Sequence, residues 1–367
     1  MADPRVERLA RLLVSYSAPV KEGHRVEISG TTLAAPLLRE LYRETLRAGG
    51  LPLLRMTLPD QNDIFFKTAG DAQLAAVSPV DRLVIEEFDN RFVVLSDENT
   101  QELAGVDPAR QGLQQKARRP LTETFMRRSA EGALDWNVCL YPTPAYAQDA
   151  GMALSDYEDF VYGACLLDRD DPVAAWQEVR GRQQRLVDYL KDKREVHLVG
   201  PGADLRFSIA GRAFINDYGT KNMPGGEIFS GPVEDSVEGV ISYTFPAFYQ
   251  GQVVEGVRLR FERGRVVEAT ARANEGFLRE MLDLDEGART LGECAFGTNT
   301  GIGRFTRNVL FDEKIGGTMH FALGAGYPDT GAVNQSALHW DMVTDLRNGS
   351  EVRVDGELFV KDGAFVV

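Results

Sequence analysis

Arg25-Val26-Glu27-Ile28-Ser29, the run Ala34–Ala48, and Leu51-Pro52-Leu53-Leu54-Arg55-Met56-Thr57 decide the fold of this chain. The first piece alternates valine and isoleucine with charge, the period of a strand. The second is amphipathic with the period of a helix, and Gly49-Gly50 ends it. The third reads as a strand again. Strand, helix, strand at this spacing predicts a parallel pair joined by a crossover helix. Upstream, Asp3 can cap a helix with Pro4 at its first position, and Val6, Leu9, Leu12, Leu13 and Tyr16 recur on one of its faces. Downstream, strands are expected near Arg91–Leu95 and Trp136–Tyr141, with helices around Pro79–Phe88 and Pro120–Ser129. A long helix is expected from Pro172 to about Lys193. From Glu195 onward the texture changes to short alternating segments broken by glycine, and Phe261-Glu262-Arg263-Gly264-Arg265-Val266 reads as a tight hairpin. One helix, about Asn274 to Leu284, interrupts them. The reading is α/β: an N-terminal helix–strand alternating α/β domain over 1–190, then a mixed, strand-rich α+β domain over 191–367.

Composition narrows the chemistry. The chain has 367 residues, 43% hydrophobic and 26% charged, ordinary values for a soluble globular protein. Its 41 Lys+Arg stand against 55 Asp+Glu, a net charge of −14, which opposes a broad nucleic-acid interface. No apolar run approaches the ~18 residues that span a membrane, and no secretion signal is visible, so no membrane partner and a cytoplasmic location are expected. The three cysteines, Cys139, Cys165 and Cys294, form no C-x-x-C pair, which disfavours a thiolate metal site and a disulfide framework. Gly200-Pro201-Gly202 follows a strand but precedes another strand, so it reads as a turn and not as a nucleotide loop. There is no G-x-S-x-G elbow and no H-E-x-x-H helix.

The C-terminal half holds the candidates. His320 ends a glycine-rich approach. His339 and Asp341 are two apart, so in a strand they face the same way. Glu227 and Glu293 each place a carboxylate in a glycine-flanked, weakly polar stretch, where an acid is costly to bury unless paired or bound to a cation. Singly, each has an ordinary reading as a solvated acid or a structural hydrogen bond. Together they are a set of carboxylates and imidazoles with no thiolate, which suits two divalent ions sharing a carboxylate.

Met223-Pro224-Gly225-Gly226-Glu227, Gly292-Glu293-Cys294-Ala295, Asp312-Glu313-Lys314-Ile315-Gly316-Gly317-Thr318-Met319-His320, Tyr327 and Leu338-His339-Trp340-Asp341 resemble, in order and rough spacing, the thermophilic aminopeptidase T / aminopeptidase S family of metallopeptidases. The match covers the C-terminal half, which the resemblance makes the catalytic domain; the N-terminal half is compatible with it. The resemblance implies a metal-dependent aminopeptidase with two divalent ions, whether Zn, Co, Mn or Mg. It implies a homodimer whose active sites face a shared cavity, and a peptide substrate with a free N-terminus. Carried over, Glu227, Glu293, His320, His339 and Asp341 correspond to metal ligands, Glu313 to a further acidic ligand and Tyr327 to the catalytic tyrosine. Glu227 is also the candidate for moving a proton to the leaving amine. Whether Glu293 or Asp341 bridges the ions stays open. The alternatives are another dinuclear hydrolase (a dipeptidase, amidase or phosphoesterase) and a non-catalytic relative.

Overall fold

The structure, a computed structural model, describes residues 3–367; Met1 and Ala2, at the start of the expected first domain, lie outside the described residues. The chain forms two compact units. One runs up to Ala174 and includes Gly219–Pro224; the other comprises Ala175–Tyr218 and Gly225–Val367.

In the first unit, strands Leu51–Thr57, Arg25–Thr31, Asn90–Leu95 and Asp135–Leu140 lie side by side in that order, all parallel, with Asn222–Met223 added at the edge. This is the parallel sheet that the opening strand–helix–strand stretch predicts. Val26 and Ile28 are buried, and the crossover helix Ala35–Arg47 packs Leu37, Leu38 and Leu41 into the core. That helix stops where Gly49 adopts φ +80°, a conformation glycine takes without steric cost. The intervening Glu27 is also buried. Arg55 Nη1 at 2.8 Å and Arg91 Nε, both from neighbouring strands, neutralise it.

One element differs from its expectation. The helix expected to begin at Pro120 begins at Pro108 and runs to Ala130, with the Asp107 carboxylate accepting from Ala109 N at 2.9 Å. Pro120 lies inside it. A proline removes one backbone hydrogen bond and strains one turn. Here the C-terminal turns are held from outside, because Arg128 Nη1 donates to the carbonyls of Ile85 and Phe88.

The second unit holds two larger antiparallel sheets. In the first, the strands run in the order Arg265–Thr270, Arg258–Glu262, Glu238–Ser242, Ala203–Ser208, Glu195–Gly200, Glu351–Val354, Glu357–Lys361, Ala364–Phe365. The other is His339–Asp345, Thr318–Gly324, Leu291–Gly297, Glu227–Ser230, Ile215–Asp217. Rings from the two sheets meet in the core: Phe207 against Phe321 at 5.8 Å and Phe296 against Phe359 at 5.4 Å. The hairpin at Phe261–Val266 turns on Arg263 and Gly264, both at positive φ, as a two-residue turn of this hand requires. Gly200-Pro201-Gly202 turns between two antiparallel strands, as expected.

The division between the units falls at the start of the long helix Pro172–Leu190; the sequence reading set it near residue 190, at that helix's end. Buried Gln183 ties the helix to the second unit. Its Nε2 donates to the carbonyls of Asp217 at 2.9 Å and Glu227 at 2.7 Å. Among the described residues, no helix is long and apolar enough to cross a membrane.

Candidate metal centre

The five-stranded sheet of the second unit brings Glu227, Glu293, His320, His339 and Asp341 to one place by register alone. Glu293 stands opposite Ala322, which stands opposite Asp341. Ala295 opposes His320, Gly324 opposes His339, and Gly297 opposes Glu227. Residues opposite each other, or two apart on one strand, share a face. All five side chains therefore leave the same side of the sheet, the face that the small Ala295 and Ala322 share. Strand Leu291–Gly297 carries one extra residue at Gly292, a bulge that re-aims Glu293 just after it.

The distances fit a shared centre. Glu293 Oε1 lies 3.5 Å from His320 Nε2, and Glu293 Oε2 lies 3.4 Å from His339 Nε2. Asp341 Oδ1 is 3.6 Å from His339 Nε2 and 4.0 Å from His320 Nε2, while Glu227 Oε2 is 3.6 Å from His320 Nε2. Three triads each place one atom per residue within 4.8 Å of the others: Glu227–Glu293–His320, Glu293–His339–Asp341 and Glu313–His320–Asp341. Glu313, just past the short helix Val309–Asp312, thus joins the group. Glu227, Glu293 and His320 are only 5%, 4% and 1% exposed.

The donor set fits divalent ions on two further observations. Glu227 Oε2 and Asp341 Oδ1 are buried and have no hydrogen-bond partner, a costly state for an oxygen unless a cation completes it. Each imidazole also directs Nδ1 to a backbone carbonyl, His320 to Glu313 O at 3.0 Å and His339 to Ala325 O at 2.9 Å. With Nδ1–H donating there, Nε2 faces the carboxylates, the arrangement of metal-ligating histidines.

Proton affinities in the cluster are displaced accordingly. Burial alone would raise Glu293, but hydrogen bonds from His320 and His339 outweigh it and hold it at about 2. Burial lowers His320, yet the Glu293 and Glu227 carboxylates raise it to about 10; His339 is raised to about 10 against the same burial cost by Asp341 and Glu293. Burial raises Asp341 to about 6 and lifts Glu227 well above the usual carboxylate range.

Tyr327 stands beside the group, its hydroxyl 3.5 Å from His339 Nε2 and its ring edge-on to Phe229 at 5.4 Å. Loss of water around the hydroxyl and the nearby carboxylates raise its proton affinity, so it stays a phenol. A cavity of about 280 Å³ opens on the centre, lined by Glu313, His339 and Asp341 together with Phe248, Phe305 and Arg307.

Sequence reasoning missed two residues here. Lys314 is fully buried, with its ammonium against Glu313, 3.5 Å from Glu227 Oε1 and 3.9 Å from Asp217 Oδ2. Asp217 itself sits opposite Glu227 in the sheet. The remaining two histidines lie elsewhere: His24 Nδ1 meets Asn90 Oδ1 at 2.6 Å and His197 Nε2 meets Asp204 Oδ1 at 2.8 Å.

Known proteins share this plan. The sequence pattern of the thermophilic metalloprotease family (M29) matches residues 2–365. Aminopeptidase T of Thermus aquaticus is 31% identical over 98% of this chain and 96% of its own length. Aminopeptidase 2 of Geobacillus stearothermophilus is 27% identical over 98% and 95%. The solved structure of wild-type AmpT from Thermus thermophilus superposes with a TM-score of 0.84 at 26% identity, covering 99% of each chain. A family match over nearly every residue, on a fold that gathers carboxylates and imidazoles on one sheet face, leaves one conclusion: this chain belongs to the M29 family of thermophilic metalloproteases.

Proposed function

We propose that the chain is a metal-dependent aminopeptidase that removes N-terminal residues from peptides at a two-ion centre. The carrying observation is the convergence of Glu227, Glu293, His320, His339 and Asp341 on one buried sheet face. Relatives named aminopeptidase T and aminopeptidase 2, similar over nearly the whole chain, support the exopeptidase reading. In this assignment Glu293 would serve both ions, because its two oxygens face two different imidazoles. Glu227 and His320 would complete one ion position and His339 and Asp341 the other, with Glu313 in reach of both through His320 and Asp341. An oxygen-rich set with two imidazoles suits Zn, Co, Mn or Mg.

When bound, divalent ions polarise the scissile carbonyl and lower the pKa of the attacking water toward ~7. The chain supplies the rest. The Tyr327 phenol donates a hydrogen bond to the oxyanion as it develops. Glu227, beside the centre, would carry the water's proton to the leaving amine where it does not itself hold an ion. The acids on the cavity wall, Glu313 and Asp341, draw the cationic α-amine toward the centre, and Phe248 and Phe305 take apolar parts of the substrate. The homodimer implied by the family resemblance and the cytoplasmic location expected from the sequence belong to the same reading; the first is tested by light scattering during gel filtration.

The test is a panel of aminoacyl reporter substrates with free and blocked N-termini. Free amines are cleaved and blocked ones are not; cleavage of blocked peptides by the pure protein would sink the assignment. Glu293→Gln should cost more than about a hundredfold in kcat/KM, because several kcal/mol of charge stabilisation depend on the bridging carboxylate.

A further inference from the structure

Lys314 occupies a place where a lysine is unexpected. It is fully buried. An ammonium is expensive to desolvate unless compensated, and three carboxylates compensate this one: Glu313, Glu227 and Asp217. Its backbone is fixed as well. Lys314 N donates to Phe311 O at 3.0 Å, and Lys314 O accepts from Asn299 N at 3.0 Å. Asn299 in turn donates through Nδ2 to Gly225 O at 2.9 Å, two residues before Glu227. The lysine is thus built into the segment that carries Glu227.

The contacts divide each carboxylate in two. Lys314 Nζ lies against Glu227 Oε1 and Glu313 Oε1. Glu227 Oε2, the other oxygen, points toward His320 and has no hydrogen-bond partner. Asp217 stands behind the lysine and belongs to none of the ligand triads. At the other end of the cluster the situation differs. Among the described residues, no lysine or arginine reaches within 4.0 Å of the Glu293 or Asp341 carboxylates, whose ion-pair partners are imidazoles.

We propose that Lys314 is a positioning residue and a built-in counter-cation. It grips one oxygen each of Glu227 and Glu313, so each offers the centre only its second oxygen. Its charge also lowers the pull of the Glu227/Glu313 end on a dication. The inference rests on the two-ion reading above. Its physical basis is like-charge repulsion: a dication beside Glu227 meets a fixed monocation across a few ångströms of buried space, whereas the Glu293 and Asp341 carboxylates lie beyond 4.0 Å of any lysine or arginine among the described residues.

The experiment strips the full-length protein with chelator and adds Co²⁺ back, followed by calorimetry, by visible absorption and by melting temperature. Two binding steps are expected in the wild type. Lys314→Met should tighten one step by about tenfold or more and leave the other within about threefold, with the metal-free melting temperature falling further than the loaded one. Asp217→Asn removes part of the charge that neutralises Lys314 and should act in the opposite sense, loosening that same step by about threefold or more. This second variant keeps the test open if Lys314→Met does not fold. A purely structural lysine would lower both melting temperatures equally and leave both affinities unchanged, and that result overturns the proposal. So does a shift of the same sign in both variants. Wild-type Co²⁺ binding that survives Glu293→Gln unaltered would remove the two-ion reading itself, and this proposal with it.

Discussion

His320 and His339 would each have to give up a proton to hold an ion. Their Nε2 atoms point at carboxylates that hold both imidazoles up to about 10, yet an ion needs those nitrogens unprotonated. The sign follows from the direction of the shift. Both groups are raised above their ordinary value of 6.5, so in the metal-free chain their stabilising contribution is complete below 6.5 and is lost as pH rises through about 10. Over that same window metal affinity should rise with pH, with protons released on binding. Calorimetry in two buffers of different ionisation enthalpy measures the release; a pH-independent affinity with no proton release would count against these imidazoles as ligands. At this scale the sequence was partly legible. His339-x-Asp341 and the glycine-flanked Glu227 and Glu293 stand out because a carboxylate in an apolar stretch needs a partner. Lys314 was invisible, because a lysine after a glutamate reads as a solvated loop charge, and the three acids around it include Asp217 and Glu227, far away in the chain.

Among the elements, strand Leu291–Gly297 sets the site. It lies between the Glu227 and His320 strands, and its bulge at Gly292 aims Glu293. A Cβ at Gly292 would lie 2.2 Å from Ala325 O and 2.5 Å from Gly324 O, both rigid backbone. Gly292→Ala should therefore cost about 1–3 kcal/mol, the usual range for overpacking, and weaken metal binding along with stability. Gly276, inside helix Glu275–Leu282, has nothing within 4 Å of a new Cβ. Gly276→Ala should stabilise by up to about 1 kcal/mol and leave metal binding alone. Chemical denaturation read beside Co²⁺ affinity separates the two; equal effects from both glycines would remove the bulge from the account. The periodicity of strands and helices was legible in sequence, down to the turn at Arg263-Gly264. The start of the Pro108–Ala130 helix was not, because a proline in a helical run reads as the first position of a helix, and here Pro120 lies inside one.

For the whole molecule, the ligand triads all lie in the second unit. Ions that bind the folded chain stabilise it by mass action, about 2.7 kcal/mol at a hundredfold excess over Kd for each site. Chelation should lower the melting temperature by several degrees in the wild type and hardly at all in Glu293→Gln; an identical drop in both would place the stabilising ion elsewhere. The two-unit plan was legible from the change in texture near Glu195. The affiliation of the long helix was not, since it depends on Gln183 reaching two carbonyls that only the folded chain brings near it. The cysteines, finally, turn out to be placed as internal clocks. Cys139 and Cys165 are buried in the first unit, and Cys294 is buried next to Glu293 in the second. Burial pushes the Cys139 thiol up to about 12 and raises the other two as well, so none is reactive until its surroundings open. The alkylation rate of each, resolved by peptide mass, thus times the opening of its own unit without any engineered label, and added metal should slow the clock at Cys294 while those at Cys139 and Cys165 keep their pace.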